Sequence, residues 1–389
     1  MGTRGSITKV NGRWKSTIDL PVGPGEKRKQ RTRRFDTEEE ANRDMTEFLT
    51  TVDTRTYVDP VSMTFGEYMT EWVTINAEGR EPSTIQGYKS KIDKQIIPQL
   101  GHIKLQDLDA LDLRRFYHYL LTEGRLDGPG GLAKSTVRQI HFIIHGALEA
   151  ATELNLVPFN EADKARGAKP PSRKAARPPE MKTWEQDELE AFYGLLDKHP
   201  KRVLFILAGE TGMRRAELCG LRWRDVDFDA NGDDGGRISV RQTIQKLADI
   251  DTSIGVPKSG EARLVDIDPQ LVALLRAHKA AQAAEKLKLG AAYADHGLVF
   301  ARPTGIRWSP DGISQAFDRV VATSGLPRIR LHDLRHTHAT LWLEAGIDPK
   351  IVSERLGHAS VAFTLDTYRH VKRKEHVFAA KRMASNYGI

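Results

Sequence analysis

Four short stretches in the second half of this 389-residue sequence gather side chains able to act together on a phosphodiester. In Glu210-Thr-Gly-Met-Arg-Arg-Ala-Glu-Leu218, the Thr211-Gly212 pair breaks one helix, and Arg214 and Glu217 share a face of the next at i, i+3. Val256-Pro-Lys-Ser-Gly-Glu-Ala-Arg-Leu-Val265 places Lys258 at a turn between two strands. Leu331-His-Asp-Leu-Arg-His-Thr-His338 puts His332 and Arg335 at i, i+3 on a helix. In Leu356-Gly-His-Ala-Ser360, His358 is followed ten residues on by Tyr368. A phosphodiester under attack gains negative charge on its non-bridging oxygens, and the planar forks of Arg214 and Arg335 match that geometry. His332 and His358 can donate to the same oxygens, and one of them can accept the attacking hydroxyl's proton. Tyrosine, with an ordinary pKa near ~10, is a poor nucleophile; a strongly cationic pocket would favour its phenolate. A departing deoxyribose oxygen needs a proton donor. Lys258 on its turn suits that role, with Lys246 near the same expected sheet as the other candidate. Attack by Tyr368 would leave a phosphotyrosyl link, so the strand passes to another DNA end without ATP.

Taken singly, each stretch has a plainer reading. Arg214–Glu217 is an ordinary ion pair, Lys258 a solvated side chain and Tyr368 a packing residue. His332 and His336 lie one turn apart, a zinc spacing. The residues between them are Asp-Leu-Arg, with no Glu after the first histidine and no third ligand, so neither a metal nor a cofactor is expected. His141, His145 and His338 read as packing or surface residues, and Cys219 as a small core residue.

These groups need a helical frame with a small sheet. Thr183-Trp-Glu-Gln186 carries a capping-box pattern that opens a mainly helical segment, with strands expected at Arg237–Thr243, around Val256 and at Arg263–Ile267. Upstream, Phe65, Tyr68, Trp72 and Ile75 recur at helical spacing. Ser83 is the expected cap of the next helix, with Tyr88, Ile92 and Ile96 on its buried side. Asp112–Leu121 and a helix from Ser135 that ends near Asn155 complete a four-helix domain. At the start, Ser6–Val10, Arg13–Leu20 and Lys29–Phe35 read as strands, the first two joined by Asn11-Gly12, and Thr37-Glu-Glu-Glu40 opens a helix to about Val52.

The length calls for two or three domains. The net charge is only +7, but the first 34 residues hold ten Lys or Arg against two acids. Arg28, Lys29, Arg31, Arg33 and Arg34 fall there, and the face carrying Arg31, Arg33 and Arg34 is a candidate β-ribbon for a DNA groove. Lys169, Arg173 and Lys174 form a second basic cluster among prolines, and a third follows Tyr368. Separate basic clusters suit a polyanion, because each phosphate contact releases a counterion. A single cysteine excludes an internal disulfide framework and fits a reducing cytoplasm. No run approaches the ~20 apolar residues of a membrane span.

In order and spacing, the four stretches resemble the tyrosine recombinase family, in particular its phage and plasmid integrases. The resemblance implies catalytic roles for Arg214, Lys258, His332, Arg335 and His358, a supporting acid at Glu217 and the nucleophile at Tyr368; no signature position is missing. It implies a multidomain, mainly α fold with small β-sheets. Residues 1–57 would form an N-terminal arm-type DNA-binding module of three strands and a helix, and residues 63–160 a helical, SAM-like core-type DNA-binding domain. A basic Pro-rich linker, 161–182, would lead to an α+β catalytic domain, 183–389. The implied activity is site-specific recombination through a 3′-phosphotyrosyl intermediate. A homotetramer would hold double-stranded attachment sites, integrating and helping to excise a mobile element. An excision factor and a DNA-bending host protein are further implied partners, and the place of work is the nucleoid. A type IB topoisomerase would use a similar residue set, and a non-catalytic DNA-binding regulator would need none of it.

Overall fold

Asn11 and Gly12 both take left-handed backbone angles, φ 51° and 81°, the two-residue turn that suits the twist of a hairpin. They join β1 (Gly5–Val10) to β2 (Arg13–Asp19), and β3 (Gln30–Phe35) pairs antiparallel with the other edge of β2. At the start of α1 (Glu38–Asp53), Thr37 and Glu40 cap each other reciprocally, and Ala41 is buried, as are Ser16 and Ile18 of β2. The computed structural model describes residues 5–20, 29–54, 56–163, 167–176, 181–247, 250–255, 262–358 and 360–368. It divides into two compact units, Met1–Pro178 and Pro179–Ile389, mainly helical with small antiparallel sheets.

The register corrects one expectation. Ile18 pairs with Arg31 and Ser16 with Arg33, whereas Arg34 pairs with Lys15. Side chains alternate across a strand, so Arg34 faces away from Arg31 and Arg33, and the three do not share a face. Asp44 of α1 takes Arg31 through two bonds of 2.6 and 3.0 Å and Arg33 at 3.2 Å, and Arg31 also lies over the Phe48 ring. Lys29 reaches Asp59 at 3.9 Å. Arg28 lies outside the described residues.

The helices that follow are α2 (Phe65–Ile75), α3 (Pro82–Lys91), α4 (Ile97–Leu100), α5 (Ala110–Thr122) and α6 (Lys134–Glu153). The expected Ser83 cap does not form. Pro82 takes the first helical position with Glu81 before it, where the missing N–H costs nothing. A π-turn at Ile92–Ile96 links α3 to α4 just before Pro98, whose ring an unbroken α-helix would not accommodate. Tyr68 donates to Ala147 O at 2.7 Å and so pins α2 to α6. The segment expected to be a linker is partly packed. Ala162 and Ala168 are buried in the same core, and Arg138 donates to Pro171 O; Lys169, Arg173 and Lys174 are exposed.

In the second unit, Trp184 decides where the chain turns helical. Its N–H donates to Thr337 Oγ1 and its indole to Pro327 O, and the ring packs on Phe192 and Phe317. That burial holds residues 183 and 184 out of the helix, so α7 (Gln186–Leu195) is capped by Glu185 and Glu188 rather than by Thr183. Next come α8 (Arg202–Thr211) and α9 (Arg215–Gly220), then a sheet of β4 (Val226–Asp227), β5 (Gly236–Val240) and β8 (Arg263–Ile267). The strand expected to run to Thr243 is broken. Gln242 donates to Gly220 O and turns the chain into a separate hairpin of β6 (Thr243–Leu247) and β7 (Ile250–Gly255). Val256 lies outside the described residues. The remaining helices are α10 (Pro269–Leu289), α11 (Pro310–Thr323), α12 (Asp333–Glu344), α13 (Pro349–Leu356) and α14 (Val361–Thr367). Among the described residues no helix is long and apolar enough to cross a membrane.

Gly212 closes α8 at φ 60°, where an added Cβ would meet Leu356 Cδ2 at 2.5 Å and His338 Cδ2 at 3.0 Å. Gly212→Ala should therefore cost about 2 kcal/mol in strain and overpacking. At roughly 3 °C per kcal/mol for a unit of this size, the calorimetric midpoint should fall by about 6 °C. An unchanged midpoint would contradict the tight approach of α13 to this turn.

Candidate active site

The site begins where α8 stops. The left-handed turn at Gly212 aims its carbonyl at Arg335, whose Nη1 donates to Gly212 O at 2.8 Å and Nη2 to Leu356 O at 2.7 Å. Two residues later Arg214 caps α9. Its amide donates to Glu217 Oε2 at 2.7 Å, its Nη1 to Glu217 Oε1 at 2.9 Å and its Nη2 to Gly357 O at 2.8 Å. Arg263, at the start of β8, grips the same carboxylate with both Nη atoms, at 2.7 and 2.6 Å, and donates through Nε to Arg355 O. Glu217 is 1% exposed and Arg335 3%, while Arg214 is partly open to solvent. Burial alone would raise the Glu217 carboxyl. The hydrogen bonds and charge of Arg263, with the amide and charge of Arg214, outweigh it and hold the group at about 2. Burial, then repulsion from Arg214, lowers the Arg335 guanidinium to about 9, still charged at neutral pH. Three guanidinium groups around one carboxylate leave a positive surplus in a mostly buried pocket.

The histidines and the tyrosine line the same place. His332 precedes α12 with its side chain open to solvent. Crowding by protein on its other sides, then the charge of Arg335, lowers its imidazole. His358 follows the left-handed Gly357, with Nδ1 2.7 Å from Thr364 Oγ1, and burial followed by the charges of Arg335 and Arg214 lowers it to about 3. Tyr368 ends α14 with 1% exposure, packed with Ala339, Leu343, Val352 and Leu356. Burial raises its phenol above the ordinary value, and the opposing pull of Arg335 offsets only part of the rise. The expectation that a cationic pocket would favour the phenolate is thus overturned: desolvation wins, and the phenol is neutral. His336 Nδ1 lies 2.9 Å from the Tyr368 hydroxyl, a contact unforeseen at His332 or His358.

The structure therefore brings together Arg214, Glu217, His332, Arg335, His358 and Tyr368. Lys258 lies outside the described residues, between the end of β7 and the start of β8, and Lys246 falls in β6. Sequence reasoning missed Arg263 and passed over His336. An arginine on a short strand announces no partner 46 residues away, and His336 offered only its spacing from His332. His338 is buried and accepts from Arg355 Nε, His141 bonds Tyr117, and His145 pairs with Asp163. Cys219 is buried, its thiol pushed up to about 12 by burial. Among the described residues no group of His, Cys, Asp or Glu side chains is placed to hold a metal ion.

Residues 182–375 match the Phage integrase family, and residues 64–121 match the family described as Phage integrase, N-terminal SAM-like domain. The tyrosine recombinase XerC-like protein of Caldanaerobacter subterraneus subsp. tengcongensis is 25% identical, with 96% of each chain covered. The ICEBs1 integrase of Bacillus subtilis is 27% identical over 76% of each chain. Among solved structures, the Tn1549 transposon integrase in complex with a circular intermediate DNA superposes with a TM-score of 0.64 at 17% identity, covering 79% of this chain and 95% of that one. A lambda integrase tetramer bound to a Holliday junction gives 0.53 at 18% identity over 94% of each chain. These two likenesses are of fold.

Glu217 and three nearby histidines set a pH dependence of one sign below neutral pH. Glu217 is held below its ordinary 4.5, and His336, His338 and His358 lie below their ordinary 6.5, at about 4, 3 and 3. In each case the unfolded chain binds the proton more readily. Their stabilisation is full above pH 6.5 and is lost as pH falls, first through the histidine range and then, for Glu217, between 4.5 and about 2. The thermal midpoint of the second unit should drop by about 5 °C or more from pH 7 to pH 5. A midpoint flat over that interval would contradict the buried neutral histidines.

Proposed function

Because the chain belongs to the phage integrase family and is a tyrosine recombinase, an enzyme that exchanges DNA strands, we propose that Tyr368 is its nucleophile. Tyr368 attacks the scissile phosphorus and forms a 3′-phosphotyrosyl link. Arg214 and Arg335 hold the non-bridging oxygens, His332 and His358 donate to them, and Lys258 protonates the departing 5′-oxygen. Glu217 supports the site by fixing Arg214. The observation that carries this reading is the convergence of the Tyr368 hydroxyl, two guanidinium groups and two neutral histidines on one pocket.

DNA also engages the chain outside this pocket. The exposed Lys169, Arg173 and Lys174 suit backbone phosphates, as does Arg34 on the open face of the first sheet, whereas Arg31 and Arg33 are engaged by Asp44. Arg28 and Lys29 extend the same basic segment. The chain would act as a homotetramer on paired attachment sites in the cytoplasm, as the lambda integrase tetramer on a Holliday junction suggests. It would integrate a mobile element, as the names of its phage and ICEBs1 relatives suggest. An excision factor and a DNA-bending host protein complete the proposed partners. Relaxation of any supercoiled plasmid without joining of specific sites would favour a topoisomerase instead.

The test uses the duplex formed by the joined ends of the element carrying the gene, nicked next to the cleavage position so that the adduct accumulates. Wild-type protein should form a covalent adduct on a denaturing gel. Tyr368→Phe should abolish it with DNA affinity nearly unchanged, and Arg214→Ala or Arg335→Ala should slow it by about 10²–10³-fold. An adduct formed by Tyr368→Phe would overturn the assignment.

A further inference from the structure

One contact at the pocket has no role in the scheme above. Tyr368 Oη and His336 Nδ1 lie 2.9 Å apart, their rings 5.9 Å between centroids and inclined by 56°. His336 stands in the first turn of α12 beside Arg335, so the turn that presents one guanidinium to Gly212 O and Leu356 O also presents an imidazole to the end of α14. Resting on the reading of Tyr368 as nucleophile, we propose that His336 is a further catalytic residue: its Nδ1 holds the Tyr368 hydroxyl in the pocket and receives its proton when the oxygen attacks phosphorus.

This role requires the tautomer with the proton on Nε2, leaving the Nδ1 lone pair for the phenol O–H. In cleavage the Oη–P bond forms and the P–O5′ bond breaks. The Oη proton passes to His336 Nδ1, and the 5′-oxygen takes its proton from the acid on the leaving side, the place proposed for Lys258. In ligation the 5′-hydroxyl returns its proton to the leaving-side group as its oxygen bonds phosphorus, the Oη–P bond breaks, and the tyrosine oxygen recovers its proton from His336.

The surroundings tie this transfer to bound DNA. Burial, then the neighbouring His332, Arg335 and Arg330, lowers the imidazole against the opposing pull of Asp333, and His336 in turn helps to lower His358. Burial likewise keeps Tyr368 protonated. In the free protein the pair is therefore a neutral hydrogen bond that holds the nucleophile in place. A phosphodiester seated on Arg214 and Arg335 brings a negative charge that opposes these repulsions and makes His336 more basic.

Single-turnover cleavage by the full chain tests the role, using the nicked joined-ends duplex with either a normal scissile phosphodiester or a 5′-bridging phosphorothioate, whose sulfur leaves without an acid. His336→Ala should slow cleavage about 10²-fold on both substrates. His336→Asn, whose amide can accept the hydrogen bond but not the proton, should bind DNA normally and be similarly slow. Lys258→Ala should regain activity on the phosphorothioate. Rescue of His336→Ala by the phosphorothioate would place His336 at the leaving oxygen and overturn the proposal, as would wild-type rates for His336→Asn. Without DNA, nitration of Tyr368 by tetranitromethane should rise several-fold in His336→Ala; unchanged nitration would overturn the holding role. Absence of an adduct from the wild-type chain would overturn the recombinase reading itself, and the proton transfer with it.

Discussion

A single carboxylate makes the cationic pocket possible. Guanidinium groups are costly to bury, and removing the partner of a buried charge leaves a large uncompensated penalty. Glu217 meets Arg214 and Arg263 at once, and it stays ionised because their hydrogen bonds and charges outweigh its own desolvation. The rest of the compensation comes from backbone. Helix ends leave carbonyls without intrahelical partners, and here those ends converge on arginines. The turn closing α8 supplies Gly212 O to Arg335. The end of α13 supplies Leu356 O to Arg335, Gly357 O to Arg214 and Arg355 O to Arg263. Both helices close on a left-handed glycine. At Gly357 an added Cβ would meet Arg263 Cδ at 2.9 Å, so the glycine that ends the helix also clears the path of the side chain that anchors Glu217.

The same economy sets the chemistry. The pocket holds its positive surplus with the donors already placed, so under the proposed function a phosphodiester would supply the missing negative charge without reorganising them. Around that surplus the histidines stay neutral and the tyrosine stays protonated. With Tyr368 as the proposed nucleophile, its reactivity would then depend on the anion that the arginines receive.

What could be read in the sequence was what is local. Arg214 with Glu217, and His332 with Arg335, are three apart on or beside short helices. Asn11-Gly12 and the Thr37–Glu40 box signal their turn and cap directly. Where tertiary contacts compete, local signals misled. Trp184 is pulled into the core and delays α7, Pro82 displaces Ser83 from the cap, and Gln242 bonded to Gly220 splits one expected strand into two. Arg31, Arg33 and Arg34 looked like one basic patch until the pleat separated the last from the others. Arg263 and His336 were illegible for a deeper reason: each meets a partner remote in sequence, Glu217 and Tyr368. The phenolate expectation weighed charge without burial, and only the three-dimensional structure shows how completely Tyr368 is enclosed.

Under the proposed function the arginines, fixed by Glu217 and by helix-end carbonyls, serve the negative charge of one phosphate. Replacing a non-bridging oxygen of the scissile phosphate with a methyl group removes that charge. On the neutral methylphosphonate duplex, Arg335→Ala should cleave at close to the wild-type rate, although it is crippled on the normal phosphodiester. If Arg335→Ala is equally defective on both duplexes, the arginine is not answering the phosphate's charge and the account of the pocket fails.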